Sequence, residues 1–431
     1  MAHDTAYDLR RSVIYCVYVR NFSQEGTFAG VIPQLDRLKA LGVDYIWLMP
    51  IHPIGVDKRK GRLGSPYAIQ DYRAVNPEYG TLTDFEALCH AIHERGMKVM
   101  IDVVYNHTSP DSVLVKTHPE WFYYKPDGKR GNRVGEWTDI VDLDYQNRGL
   151  WDYQIESLQY WAHYVDGYRC DVASMVPVDF WREARKAVAQ VKEDFVWLAE
   201  SVHAEFVKAL RQEGVEAASD SQLYEAFDLT YDYDIWTAYE RYVRGEIPLD
   251  WYLERLSLQD MIYPDNYVKL RNLENHDQPR FASVMPQGAS LRHWVTFSLM
   301  QRGTSLIHNG QEIGASHLPN LFDRDPIDWQ GGQEDLSDCL SRLIEIKKSA
   351  LPVQGAYDLV GDRDLDLVKI SYKHAGSQDL ALLALVSLKG KSGDLAVDLP
   401  DGDYVNALTA KSVTVKEGKL TVAEDPIVII L

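Results

Sequence analysis

Along the chain, short runs of Val, Ile, Leu and Tyr alternate with stretches whose apolar residues fall at helical spacing. Eight runs, at 12–19, 43–50, 98–105, 165–172, 195–201, 226–231, 267–273 and 304–309, have the length and composition of buried strands. Between them, Leu35, Leu38 and Leu41 are closed by Gly42, and Phe85, Leu88, Cys89 and Ile92 by Gly96. These carry the i, i+3, i+4, i+7 face and the glycine stop of amphipathic helices. Eight strands alternating with helices predict an α/β fold of the (β/α)8, or TIM barrel, type.

One interval breaks the rhythm, because about 60 residues separate the third run from the fourth, too many for a single crossover helix. Residues 106–145 hold the WFYY stretch at 121–124, the turn signal Pro126-Asp127-Gly128 and a Gly/Arg-rich link. They predict a short inserted subdomain with a hairpin, on the barrel's C-terminal face. Beyond residue 350 the helical period gives way to alternating segments such as LVKISYK, LALLALVSLKG and SVTVKEGKLTV. The expected division is a catalytic barrel from 1–105 and 146–350, the insertion at 106–145, and a C-terminal all-β domain of sandwich type at 351–431.

Composition narrows the partners. With 431 residues, 45% apolar and 25% charged, the chain has the make-up of an ordinary soluble protein with room for about three domains. A net charge of −19 repels phosphate backbones and anionic lipid, so neither nucleic acid nor membrane is expected as a partner. No run approaches the roughly 18 apolar residues of a membrane span. The N-terminal stretch MAHDTAYDLRRSVIYCVYV lacks the apolar core of an export signal, and the four cysteines form no C-x-x-C pair. A reduced, cytoplasmic protein is the expectation. Eleven Trp, 26 Tyr and 11 Phe provide flat faces suited to sugars, although most of these rings should form core.

In a barrel of this kind reactive groups gather at the C-terminal ends of the strands. The third run ends Asp102-Val-Val-Tyr-Asn106-His107, and the fourth carries Arg169-Cys-Asp171. The fifth ends at Glu200, and the seventh leads into Asn275-His276-Asp277-Gln-Pro-Arg280. Any one of these residues would equally suit a cap or an ion pair. Together they place carboxylates, histidines and arginines at one mouth.

The motifs DVVYNH at 102–107, GYRCDVAS at 167–174, LAES at 198–201 and ENHD at 274–277 resemble the four sequence regions of the α-amylase family of glycoside hydrolases. VDYIWLMPIHP at 43–53, GSPYAIQDY at 64–72, DLDY at 142–145 and GTSLIHNGQEIG at 303–314 extend the resemblance over the whole barrel. It implies Asp171 as the nucleophile of a retaining double displacement and Glu200 as the general acid and base. Asp277 is implied as the third carboxylate, binding sugar hydroxyls. His107 and His276 match hydroxyl-binding histidines and Tyr67 an aromatic platform, while Arg280 suits a charge partner for Asp277. Arg169 should keep Asp171 ionised, whereas Glu200 must hold its proton through desolvation and neighbouring carboxylates. Asp102 suits a residue that orients His107 or Arg169, or a plain salt bridge.

The implied function is hydrolysis of α-1,4-glucosidic bonds in maltodextrins or starch-type glucans. Two departures widen it. Many starch-degrading members carry a Lys-His pair where this chain has Ser174 and Met175, and Val172-Ala173 resembles the cyclomaltodextrinase and neopullulanase style. An α-1,6-acting glucosidase and a 4-α-glucanotransferase stand as further alternatives. A non-catalytic sugar-binding relative is disfavoured, since all three acids are present. The chemistry needs no cofactor. Asn106 and Asp142 match the places where calcium-dependent members bind the ion, and they equally suit hydrogen-bonded roles. The basic loop Asp57-Lys-Arg-Lys-Gly-Arg62 reads as solvated surface. Among Trp121, Tyr123, Tyr124 and Trp137, one or two rings are expected to face sugar.

Overall fold

The computed structural model describes residues 4–135, 137–349 and 351–431. Eight parallel strands close into a barrel: β1 (Val13–Val17), β2 (Tyr45–Leu48), β3 (Lys98–Val103), β4 (Gly167–Cys170), β5 (Val196–Ala199), β6 (Leu229–Tyr231), β7 (Val268–Arg271) and β8 (Thr304–His308). Each strand pairs with its neighbours in sequence, and β8 returns to β1, so no edge is left open. All eight coincide with the runs read from the sequence, although each is shorter, because only the central residues complete the ladder.

The helices follow from their local signals. Thr81 and Asp84 form a capping box at the start of Leu82–Glu94, whose buried face is Phe85, Leu88, Cys89 and Ile92. Gly42 ends Leu35–Leu41 at φ 101°, and a Cβ there would lie 2.6 Å from Ile344 Cγ2, so both conformation and space require glycine.

Between β3 and β4 the chain leaves the barrel. His107–Thr108 pairs antiparallel with Val141–Asp142 at the base of the excursion. Further out, Lys125 N–H donates to Lys129 O at 2.8 Å and Gly128 N–H to Lys125 O at 2.9 Å, closing a hairpin turn over the Pro-Asp-Gly signal. Trp121 is buried and stacks on His118 at 3.7 Å, whereas Trp137 is 42% exposed and faces the cleft.

After one helical turn, Leu351–Gln354, the chain builds an antiparallel sheet of β9 (Ala356–Asp362), β10 (Leu367–Lys373), β11 (Leu380–Ser387) and β12 (Ile427–Ile430). Strand β11 is buried on both faces. Leu382, Ala384 and Val386 join the barrel's core, while Leu383 and Leu385 face a second core with Leu395, Leu420 and Val422. The layer opposite this sheet is two separate two-stranded ribbons, Gly393–Ala396 with Lys419–Val422 and Gly402–Val405 with Ser412–Val415, a looser arrangement than a two-sheet sandwich. Tyr372 Oη donates to Met300 O and Trp294 Nε1 to Leu388 O, which ties the domain to the barrel. All four cysteines are free, and among the described residues no helix is long and apolar enough to cross a membrane.

Candidate active site

The ends of β3, β4, β5 and β7 bring the predicted residues together around one buried cation. Asp102 and Arg169 are register partners on β3 and β4, and alternation along β4 puts Arg169 and Asp171 on the same side. Arg169 Nη1 donates to Asp102 Oδ1 at 2.9 Å and to Asp171 Oδ1 at 2.8 Å. Its Nη2 lies 2.8 Å from Glu200 Oε1, close enough for an ion pair but too poorly aligned for a hydrogen bond. Trp47, Tyr67 and Tyr231 box in the guanidinium at 5.2, 5.7 and 5.4 Å, and its Nε donates to Tyr231 Oη at 3.2 Å.

Glu200, immediately after β5, accepts a hydrogen bond from the backbone N–H of Val172 at 2.8 Å. Val172 sits at φ 33° and ψ 47°, the left-handed region that a β-branched residue avoids. Strain at this position therefore aims an N–H at the proposed acid.

Asp277 is held differently. His276 Nε2 lies 3.0 Å from Asp277 Oδ2 and 2.6 Å from Tyr67 Oη, and the Tyr67 and His276 rings stack with an interplanar angle of 12°. Tyr67 Oη also donates to Asp102 Oδ2 at 3.1 Å. His107 Nε2 stands 3.9 Å from Asp171 Oδ2. The side chains of Asp171 and Glu200 are 9% exposed, whereas that of Asp277 is 44% exposed and open to solvent in the cleft.

Electrostatics separates the three acids. Burial pushes Asp171 up to about 6 despite Arg169, with the charge of Asp102 adding to the rise. Arg169 does favour the carboxylate, but burial outweighs it, so Asp171 is not held in the low range expected from the ion pair alone. Glu200 goes to about 7, first through burial and then through Asp171 and Asp277. For Asp277 burial is outweighed by His276, which holds the carboxyl below its ordinary range; Asp277 in turn raises His276. Burial lowers His107, leaving it neutral near pH 7.

Arg280 lies outside this group. Its Nη1 pairs with Glu274 at 2.7 Å, its Nη2 donates to Asn309 O at 2.7 Å, and its Nε reaches His317 O. The ion-pair partner is Glu274, not Asp277, and the side chain is buried behind the site. Asp102 pairs with Arg169 and touches Tyr67 rather than His107, a contact that is at once a salt bridge and a means of orienting Arg169.

The places matched to calcium do not fit a metal ion. Asp142 Oδ2 accepts from Arg133 N–H at 2.7 Å and Oδ1 from Asn132 Nδ2 at 3.3 Å. The Arg133 guanidinium stands 4.0 Å from Asp142 and 3.4 Å from Asp144 and donates to Leu143 O. Asn106 faces His107 Nδ1 at 3.2 Å through its amide nitrogen and accepts Leu143 N–H on its backbone carbonyl. Both Asp142 oxygens are thus engaged by N–H donors, and the nearest positive charge is the Arg133 guanidinium. Among the described residues no group of three or more His, Cys, Asp or Glu is arranged for a metal.

These groups line a cavity of about 270 Å³ that also takes in Lys60, Trp137, Asp139, Val172, Met175 and Phe322. A larger cavity, about 700 Å³, opens at the opposite end of the barrel among Asp8, Asp44, Lys98 and Glu193. That end holds the starts of the strands, where residues serve stability, so the smaller cavity is the reactive one. Lys60 departs from the sequence expectation: it belongs to a basic loop whose composition predicts solvated surface, yet it is half-buried and paired with Asp139 at 2.8 Å. Tyr231 carried no motif either; its only sequence signal is its place at a strand end.

Comparison with known proteins agrees with this geometry. The α-amylase catalytic domain model matches residues 14–138 and 134–348, and the bacterial α-amylase C-terminal domain model matches 359–429. The crystal structure of an α-amylase from Lactobacillus plantarum is 50% identical, with a TM-score of 0.94 over 98% of this chain and 99% of that one. A noncanonic maltogenic α-amylase, AmyB from Thermotoga neapolitana, is 32% identical, with a TM-score of 0.85 over 98% and 100% of the two chains. The α-amylase MalA of Haloarcula japonica is 26% identical over 95% of this chain, which spans 61% of that protein's length. Matched by family models along nearly its whole length, with the family's acids gathered at the barrel mouth, the chain belongs to the α-amylase family of glycoside hydrolases.

Proposed function

We propose that this protein hydrolyses α-1,4-glucosidic bonds of maltodextrins with retention of configuration. The observation that carries the reading is a single guanidinium, Arg169, gripping Asp171 and Glu200 on its two terminal nitrogens. That keeps the carboxyls near each other, as attack by a side chain at about 5–5.5 Å separation requires, rather than at the wider spacing that admits a water between them.

In the first step an Asp171 oxygen bonds to the anomeric carbon while Glu200 gives its proton to the glycosidic oxygen, which leaves with the bonding electrons. In the second, water attacks that carbon, Glu200 takes the water's proton, and the bond to Asp171 breaks. A Glu200 near 7 and an Asp171 near 6 give the required pair, acid protonated and nucleophile ionised, in the interval between them. His107, His276 and Asp277 are positioned to bind hydroxyls of the sugar being cleaved. NMR of the first-formed product should show the α-anomer, and a β-anomer would refute double displacement. Asp171→Ala and Glu200→Ala should each lose activity by orders of magnitude, since the two act as a unit.

A second reading, action on small or cyclic maltodextrins, is favoured by Val172 after the nucleophile and by Ser174 and Met175 in place of a Lys-His pair, with Val172 and Met175 in the cavity wall. A product profile on maltoheptaose, cyclodextrin, pullulan and isomaltose separates the readings, and longer oligomers at high maltotriose would reveal glucanotransferase action. We assign the protein to the cytoplasm on the strength of its four free cysteines.

A further inference from the structure

Three segments distant in sequence form one wall of the reactive cavity: the loop after β2 with Lys60, the insertion with Trp137 and Asp139, and the loop after β8 with Phe322. Lys60 Nζ stands 2.8 Å from Asp139 Oδ1, with the Asp139 side chain only 5% exposed, and lies 5.9 Å over the Phe322 ring. The wall is braced from behind. The buried Arg20 donates Nη1 to Gly64 O at 2.9 Å and to Leu321 O at 3.0 Å, tying the first loop to the third, and is itself paired with Glu78. Leu63 and Gly64 donate backbone N–H groups to Phe322 O. Gly61, at φ 62°, packs so close that a Cβ would meet Phe322 Cβ at 2.7 Å.

The position of this wall gives it a meaning. Strands β2 and β8 flank β1, which stands across the ring from β5, and Glu200 follows β5. A general acid must face the leaving oxygen, so the departing part of the glucan lies on the Glu200 side. The wall therefore faces the other part, the sugar attacked at its anomeric carbon and whatever precedes it toward the non-reducing end.

We propose that the Lys60–Asp139 tie closes the non-reducing side of the cleft, so that the enzyme removes short units from the non-reducing ends of α-1,4-glucans and rejects chains that continue past the wall. The inference rests on the hydrolase reading above. An ion pair bridging two loops resists insertion of a further sugar, because parting the charges leaves the well-buried Asp139 uncompensated.

The test uses p-nitrophenyl maltoheptaoside with its non-reducing end free or blocked by an ethylidene group, with products followed by chromatography. The wild-type protein should cleave the blocked substrate at least about tenfold more slowly than the free one. Lys60→Ala and Asp139→Ala should bring that ratio toward one, and the charge swap Lys60→Asp with Asp139→Lys should restore the discrimination, which a merely structural role for either residue would not do. Equal cleavage of both substrates by the wild type, or discrimination that survives both single substitutions, overturns the proposal while leaving the hydrolase reading intact. Cleavage of neither substrate refutes the hydrolase reading and the proposal with it.

Discussion

Asp102 is fully buried behind the cavity lining and paired with Arg169, yet its charge should set the acid limb of the activity profile. Asp102 and Asp171 accept from the same nitrogen of Arg169, at 2.9 and 2.8 Å, which puts their oxygens about 4–5 Å apart. At an effective dielectric constant of about 20, two negative charges at that distance repel by about 3–4 kcal/mol, an upper bound of two to three pKa units. Replacing Asp102 with Asn removes this repulsion and leaves Arg169 to its other partners, so Asp171 should fall from about 6 by about one to two units. Glu200, whose rise comes from burial and from Asp171 and Asp277, should stay near 7. The plateau of kcat/KM will drop, because Arg169 and Tyr67 both lose an anchor, but the shape of the profile is the decisive readout. With limbs at about 6 and 7, kcat/KM at pH 5 is about 0.15 of its value at pH 6.5; with the acid limb at about 4.5, the ratio approaches about 1. Kinetics of Asp102→Asn at those two pH values, at low substrate, measures it. A ratio that stays near the wild-type value would show that Asp102 carries the site's proton in the resting enzyme and exerts no charge on Asp171.

Two further outcomes follow from the geometry. Val172→Gly relieves left-handed strain of about 1–3 kcal/mol but frees the unfolded chain and loses side-chain contact, so thermal stability should change by no more than about 1 kcal/mol. The slackened N–H bond to Glu200 should move the basic limb above about 7 and lower kcat more than it changes KM, while an unchanged pH profile would refute a positioning role for this backbone. Arg133→Ala should destabilise the insertion by about 1–3 kcal/mol, because Asp142 is left buried beside no cation, whereas a chelator should leave the wild-type melting temperature where it was. A clear fall in that temperature in chelator, reversed by calcium, would contradict the replacement of the ion by Arg133.

Much of this was legible in the chain because a parallel barrel converts one-dimensional order into position. Any residue at the C-terminal end of a strand arrives at the same mouth, so Asp102, Arg169, Asp171 and Glu200 needed only the strand runs to be found. Arg280 shows the limit. Three residues from Asp277 in sequence, it turns away because Glu274 accepts both the Arg280 guanidinium and the Phe281 N–H, and that turn is written in no periodic pattern. Lys60 shows another: its partner Asp139 lies in a different segment, and a basic loop in an acidic protein looks solvated until the fold brings the insertion over it. Asp142, by its place in a motif, suits either a metal ligand or a hydrogen-bonded residue, while Arg133, whose backbone N–H it accepts, lies outside that motif.

The electrostatic state of the site also depends on the surroundings more than on the acids themselves. Arg169 supplies one positive charge to three carboxylates, Asp102, Asp171 and Glu200, all with water largely excluded. Three ionised acids on one guanidinium would leave two uncompensated charges in a low-dielectric pocket, so the cluster retains a proton to higher pH than free carboxyls would. The neighbours decide which acid keeps it. Asp102 and Asp171 hold aligned bonds from Arg169, whereas Glu200 has only the misaligned contact and one backbone N–H, so the proton is best kept on Glu200. The aromatic box around the guanidinium reinforces the choice, since Trp47, Tyr67 and Tyr231 surround the charge without offering it another anion. Asp277, paired with His276 and open to the cleft, stays ionised beside them and raises Glu200 further. The acid is therefore loaded before any sugar arrives, by the arrangement that also keeps the nucleophile bound to its cation.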